Sequence, residues 1–183
     1  MKLHLFGASG AGVTTLGTAL ATELSIPYFD TDTYFWEPSE PAFTARRPAA
    51  ARDAQLAQDL ARHESWIVGG SIVGWGTHWL AAFDLVVFLW LPPALRQQRL
   101  QQREHARFGE QLATDPTQAE RTQAFLEWAA GYDGGTSGGT RTLANHTSWL
   151  RQFTCPVLEL RGDLTVAERV AAVQAALREH NLR

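Results

Sequence analysis

At 183 residues and 20.2 kDa the chain suits one domain with a core of its own, and nothing in its 45% hydrophobic content requires a second. A net charge of −3 carries no basic excess that would point to nucleic acid or an anionic membrane as partner, so any cationic site must be local. The single cysteine, Cys155, cannot close an internal disulfide, the amino terminus shows no leader pattern, and the apolar run 85–91 is too short to span a bilayer; the expectation is a cytoplasmic protein.

Short apolar runs rich in Val, Ile, Leu and Phe alternate with longer helical patterns, which predicts an α/β domain with a parallel sheet and helices on both faces. In chain order the runs are 2–6, 27–30, 66–69, 84–91 and 157–161. Leu16, Leu20 and Leu24, four apart, mark one buried face of a helix over 14–25. A second helix is expected over 49–64. A third starts at Pro93, and others cover 117–130 and 141–153; Thr165 with Glu168 suggests a capping box for a last helix running to about Leu177. The Pro-rich stretch 37–48 and 131–139, with five glycines in nine residues, read as loops.

Between the first strand and first helix stands Gly7-Ala8-Ser9-Gly10-Ala11-Gly12-Val13-Thr14-Thr15. Strand, glycine loop and helix are the context required by the phosphate-binding pattern GxxxxGK[ST]. Glycines let successive amides turn inward and the helix amino terminus adds partial positive charge, so the loop is expected to cradle phosphates. Thr14 supplies a hydroxyl for magnesium and Thr15 one for a further phosphate oxygen. Val13 fills the lysine position, without charge or donor. Lys2 is the sole lysine and is expected to be buried at the start of the first strand, so a compensating cation must be one of the 15 arginines. Arg96, Arg99, Arg103 and Arg107 recur at intervals of three or four, along one helical face; they are either a phosphate-binding row or a solvated face paired with acids.

The second strand ends in Asp30-Thr31-Asp32, at the carboxyl edge where ligands of such sheets bind. One of the two acids suits magnesium or the acceptor's proton and the other an acceptor hydroxyl, although an aspartate after a strand is also a common helix cap. Arg46 is a candidate for an anionic acceptor, or pairs on the surface with Glu37 or Glu40. The third strand runs into Gly69-Gly70-Ser71, with Gly69 at the position expected of a magnesium-organising aspartate; Gly70 allows close approach of a ligand, and Trp75 either stacks on it or belongs to the core. The six histidines show no zinc spacing.

GASGAGVTT, the DxD at 30–32 and LRQQRLQQRE at 95–104 together resemble the adenylate-kinase-like P-loop kinases, the group of nucleoside monophosphate, shikimate and gluconate kinases, and within it a lysine-free subgroup. The resemblance implies a three-layer P-loop NTPase fold around a five-stranded parallel sheet, with a helical lid at 104–152. It further implies phosphoryl transfer from ATP, with Mg2+, to a nucleotide or small-molecule acceptor. On that reading Arg99 or Arg103 replaces the lysine, Thr14 and Asp30 organise the metal, and Asp32 serves the acceptor. A nucleotide-binding regulator without turnover is the alternative, and an interaction domain that keeps only the fold is a third.

Overall fold

The structure, a computed structural model, describes residues 1–182. Five strands, β1 (Lys2–Gly7), β2 (Tyr28–Asp30), β3 (Trp66–Gly69), β4 (Leu85–Trp90) and β5 (Val157–Arg161), pair in the order β2-β3-β1-β4-β5, all parallel. The expected α/β architecture is therefore present, with each strand within two residues of its predicted span. β1 sits centrally, with Leu3 opposite Ile67 on one side and Leu85 on the other. Chain order reverses across it, which opens a crevice at its carboxyl end.

The helices are α1 (Val13–Leu24), α2 (Thr31–Phe35), α3 (Ala49–Leu60), α4 (Pro93–Phe108), α5 (Gln111–Thr114), α6 (Pro116–Ala130), α7 (Leu143–Leu150) and α8 (Val166–Glu179). Leu16 and Leu20 of α1 are buried as their spacing predicts. α8 carries the expected capping box: the Thr165 hydroxyl accepts from the Glu168 amide at 3.2 Å, and Glu168 Oε2 accepts from the Thr165 amide at 2.7 Å.

Three short elements were not foreseen: α2, α5 and a 3-10 turn at Thr77–Ala81. α3 also stops at Leu60 instead of Glu64, because Arg62 and His63 donate to carbonyls three residues back and tighten the chain into a turn. Stretch 104–152 carries the end of α4 and all of α5, α6 and α7, joined by short breaks at 109–110 and 115 and by the longer glycine-rich turn after α6. Among the described residues no helix is long and apolar enough to cross a membrane.

The sheet separates two cores of different character. One is aromatic, built on Phe6, Trp66, Trp75, Trp79, Phe83, Phe88 and Trp149. The other is aliphatic, built on Leu3, Leu5, Leu16, Leu20, Val87, Leu160 and Val173, and it holds α1 and α8 against the sheet. Lys2 corrects one expectation. It is exposed, with Nζ 6.0 Å from the Trp66 ring centre, at the amino end of β1. That is roughly 17 Å of strand from Gly7. A strand start alternates between core and solvent, and Lys2 takes the solvent position.

Candidate active site

The crevice at the carboxyl end of β1 is a cleft of about 660 Å³, lined by every residue from Gly7 to Thr15 except Ala11. Gly12 precedes α1 with φ of 93°, in the left-handed region where side chains are strained, and gives the loop its curl. The first amides of α1 emerge from that curl with no intrahelical acceptor. A loop of this kind suits a phosphate.

Asp30 closes the other side of the loop. Its Oδ1 accepts from the Asp32 amide at 3.0 Å and caps α2; its Oδ2 accepts from the Thr14 hydroxyl at 3.1 Å and the Tyr28 hydroxyl at 3.4 Å. The two readings of this aspartate are thus compatible, one per oxygen. Asp32 lies in the first turn of α2, not on a strand, yet still lines the cleft. Thr14 Oγ1 and Asp30 Oδ2, adjacent at the mouth of the loop, are the hard oxygen donors a magnesium ion takes while keeping several waters.

The acid missing at the end of β3 has a steric explanation. A Cβ on Gly69 would collide with the Tyr28 ring and hydroxyl, and the same ring covers Gly17 of α1. Burial, with Asp30 beside it, pushes the Tyr28 pKa up, so the hydroxyl stays protonated and donates to Asp30. Tyr28 fills the space that an aspartate at position 69 would need.

The arginine row divides along α4. Arg96 is fully buried, with Nη2 2.6 Å from Asp133 Oδ2, and serves the packing between α4 and the turn after α6. Arg99 and Arg103 line the cleft, each beside an acid: Arg99 Nη2 is 2.5 Å from Asp163 Oδ1, and Arg103 Nη2 is 2.8 Å from Glu104 Oε1. Arg107 lies over the rings of Phe43 and Phe108 at 4.9 and 5.1 Å and does not line the cleft.

Two expected acceptor contacts do not line it either. Trp75 is buried in the aromatic core, with the Arg52 guanidinium 3.7 Å from its ring centre and Phe35 stacked on it. Arg46 lies 5.6 Å from the Phe35 ring centre and 5.9 Å from that of Trp36, while its neighbour Arg47 pairs with Glu37 at 3.2 Å. The short antiparallel bridge between Trp36 and Arg46 holds this loop against α2 and turns both residues from the cleft. Gly70 does line it.

Four cleft residues escaped the sequence. Arg141 Nη2 donates to Asp32 Oδ1 at 3.0 Å. Arg169 Nη1 donates to the Ala11 carbonyl at 2.7 Å. Ser71 and Tyr132 bracket His146, with Ser71 Oγ 3.0 Å from Nε2 and Tyr132 Oη 2.9 Å from Nδ1. Burial, with Arg141 nearby, lowers the His146 pKa to about 3, so the imidazole is neutral. A neutral imidazole donates through one ring nitrogen and accepts at the other, so Ser71 and Tyr132 are held by the same ring, one as its donor and the other as its acceptor. A sequence signal existed only for Arg169: the capping box places the start of α8 at the carboxyl end of β5, the same sheet edge as the phosphate loop.

No family model matches the chain. Among solved structures, shikimate kinase from Acinetobacter baumannii in complex with shikimate is similar with a TM-score of 0.58 at 16% identity, covering 100% of this chain and 95% of that one. Deoxyadenosine kinase from M. mycoides with bound dATP is similar with a TM-score of 0.58 at 13% identity, covering 97% and 100%. A gluconokinase from Sinorhizobium meliloti 1021 reaches 0.53 at 14%, covering 97% and 91%. These likenesses establish the fold of the P-loop small kinases. The protein YqaC of Bacillus subtilis strain 168, itself described as uncharacterized, is 40% identical over 172 residues, 94% of both chains. At that identity and coverage the chain belongs to the same family as YqaC.

Proposed function

We propose that the chain is an ATP- and magnesium-dependent phosphotransferase acting on a nucleotide or a small hydroxylated metabolite. The observation that carries this reading is the convergence, in one cleft, of the phosphate loop, Asp30, Asp32, Arg99 and Arg103. The loop amides bind the inner phosphates; Thr14 and Asp30 would hold magnesium, which would supply positive charge to the outer ones. Arg99 and Arg103 face the charge that builds on the transferred group. Arg141 occupies one oxygen of Asp32 and leaves Oδ2 for the acceptor hydroxyl, whose proton it takes. ATP, Mg2+ and purified protein, incubated with a panel of nucleosides, nucleotides and hydroxylated metabolites, should yield a phosphorylated product, and Asp32→Asn should abolish it while nucleotide still binds. A panel without any product would sink the reading.

A nucleotide-binding regulator is the second reading, favoured by Val13, whose side chain packs with the aliphatic core, and by Tyr28 in the space of the acid. Val13→Lys separates the two: it raises phosphotransfer in a weak kinase and leaves a pure binder without turnover. Residues 104–152 would act as the lid in either case, since Trp128, Tyr132 and Arg141 already lie over the cleft.

A further inference from the structure

Val13 removes a lysine from the loop, and a different cation touches the loop from behind. Arg169, the fourth residue of α8, is only 5% exposed, yet lines the cleft. Its Nη1 donates to the Ala11 carbonyl and stands 2.7 Å from where a Gly12 Cβ would be, so any side chain at position 12 would displace it. Its Nε is buried without a partner, and among the described residues no carboxylate lies within ion-pair distance of it. Asp163, the acid whose charge acts on it, is engaged by Arg99.

A buried guanidinium without a carboxylate is costly, and the first turn of a helix is the wrong end for positive charge. Burial and the neighbouring Arg99 both push the Arg169 pKa down, which expresses the same penalty. An anion in the cleft would relieve it. The hydrogen bond to Ala11 also has a backbone consequence. In a planar trans peptide the C=O and the following N–H point in opposite directions, so a carbonyl held by Arg169 fixes the Gly12 amide facing away from it.

We propose that Arg169 stands in for the absent loop lysine, as the fixed cation of the phosphate site and the residue that pins the Ala11–Gly12 peptide in its binding orientation. The ligand it recognises is the phosphate chain of a nucleoside di- or triphosphate. The proposal rests on the nucleotide reading above, but concerns binding and not transfer.

The probes are pyrophosphate, ATP and adenosine, titrated calorimetrically. Arg169→Met should weaken pyrophosphate and ATP by about tenfold to a hundredfold, the worth of one charge-assisted hydrogen bond, and leave adenosine unchanged. Adding Val13→Lys to Arg169→Met should restore most of the loss, and Val13→Lys alone should gain less than it does in that background. Wild-type pyrophosphate affinity in Arg169→Met, or no restoration by lysine, overturns the proposal. A second readout avoids any folding failure of the methionine variant. The Nε–H resonance of Arg169 in 15N-labelled wild-type protein, assigned by its loss in Arg169→Lys, should shift as pyrophosphate is added; a resonance that stays in place also overturns it. If wild type binds ATP through Arg169 yet phosphorylates nothing, the proposal stands and the kinase reading falls. If phosphotransfer proceeds and Arg169→Met binds ATP normally, the reverse holds. Binding of neither pyrophosphate nor ATP by wild type removes both.

Discussion

The two faces of the sheet meet the cleft with different chemistry. The aliphatic face, beneath α1 and α8, meets the cleft with the glycine loop, Thr14 and Arg169. The aromatic face supplies the opposite wall, through Ser71 and Tyr132 held by the buried, neutral His146. It also buries His4, stacked between Phe6 and Phe83 at 5.0 and 4.7 Å. Aliphatic packing is indifferent to pH, whereas a core that contains two neutral imidazoles is not. One face therefore brings charge to the cleft, and the other ties both stability and the positions of Ser71 and Tyr132 to protonation.

The steepest way to break this comparison is acid. Burial lowers the pKa of His4 to about 3 and that of His146 likewise, against 6.5 in the unfolded chain. The unfolded state thus binds protons first, and the stability from neutral burial, complete above pH 6.5, is lost as pH falls from there toward 3. Each histidine should cost roughly 2 kcal/mol between pH 7 and pH 5, followed by chemical denaturation at a series of pH values. A flat profile over that range would show the aromatic face to be as pH-indifferent as the other. Phe88→Ala, on the same face and fully buried, should cost about 3–5 kcal/mol at neutral pH, against about 2–5 for Leu16→Ala on the aliphatic face. A loss below about 2 kcal/mol at Phe88 would show the aromatic face to be the more loosely packed of the two.

Smaller effects sharpen the contrast at the cleft itself. Ser71→Ala should cost about 1–3 kcal/mol, because it leaves the buried Nε2 of His146 without its partner, and should raise the KM for the acceptor without changing ATP affinity. A change in ATP affinity instead would place Ser71 on the phosphate side. Thr165→Ala removes the cap of α8 and should cost about 1 kcal/mol by thermal melting, with a weaker grip of Arg169 on the loop as its local consequence.

Much of this was visible without coordinates, for local reasons. The strands were legible because a parallel sheet buried on both faces demands continuous apolar runs. The phosphate loop was legible because glycine spacing between strand and helix is a local backbone requirement, and the cap of α8 because its partners are three residues apart. The row from Arg96 to Arg107 was visible as a periodicity, but periodicity places side chains on a face without saying what the face meets. Arg96 met Asp133 inside the protein, and Arg107 met Phe43. Trp75 was ambiguous in the same way, since an aromatic that stacks on ligand and one that stacks on Phe35 read identically in sequence.

What the sequence determined by itself is therefore the sheet, the glycine loop and the scarcity of lysine, each a matter of composition or of neighbours within a few residues; that Lys2 is exposed at the far end of β1 came from the structure. Which arginine reaches the loop, why position 69 is glycine, and what holds Ser71 and Tyr132 in place were decided only by tertiary structure. Ala11 and Arg169 are separated by 158 residues, and Ser71 and His146 by 75. Contacts at such separations arise when helices settle on opposite faces of a sheet, and side-chain reach across that packed edge leaves no periodic trace along the chain.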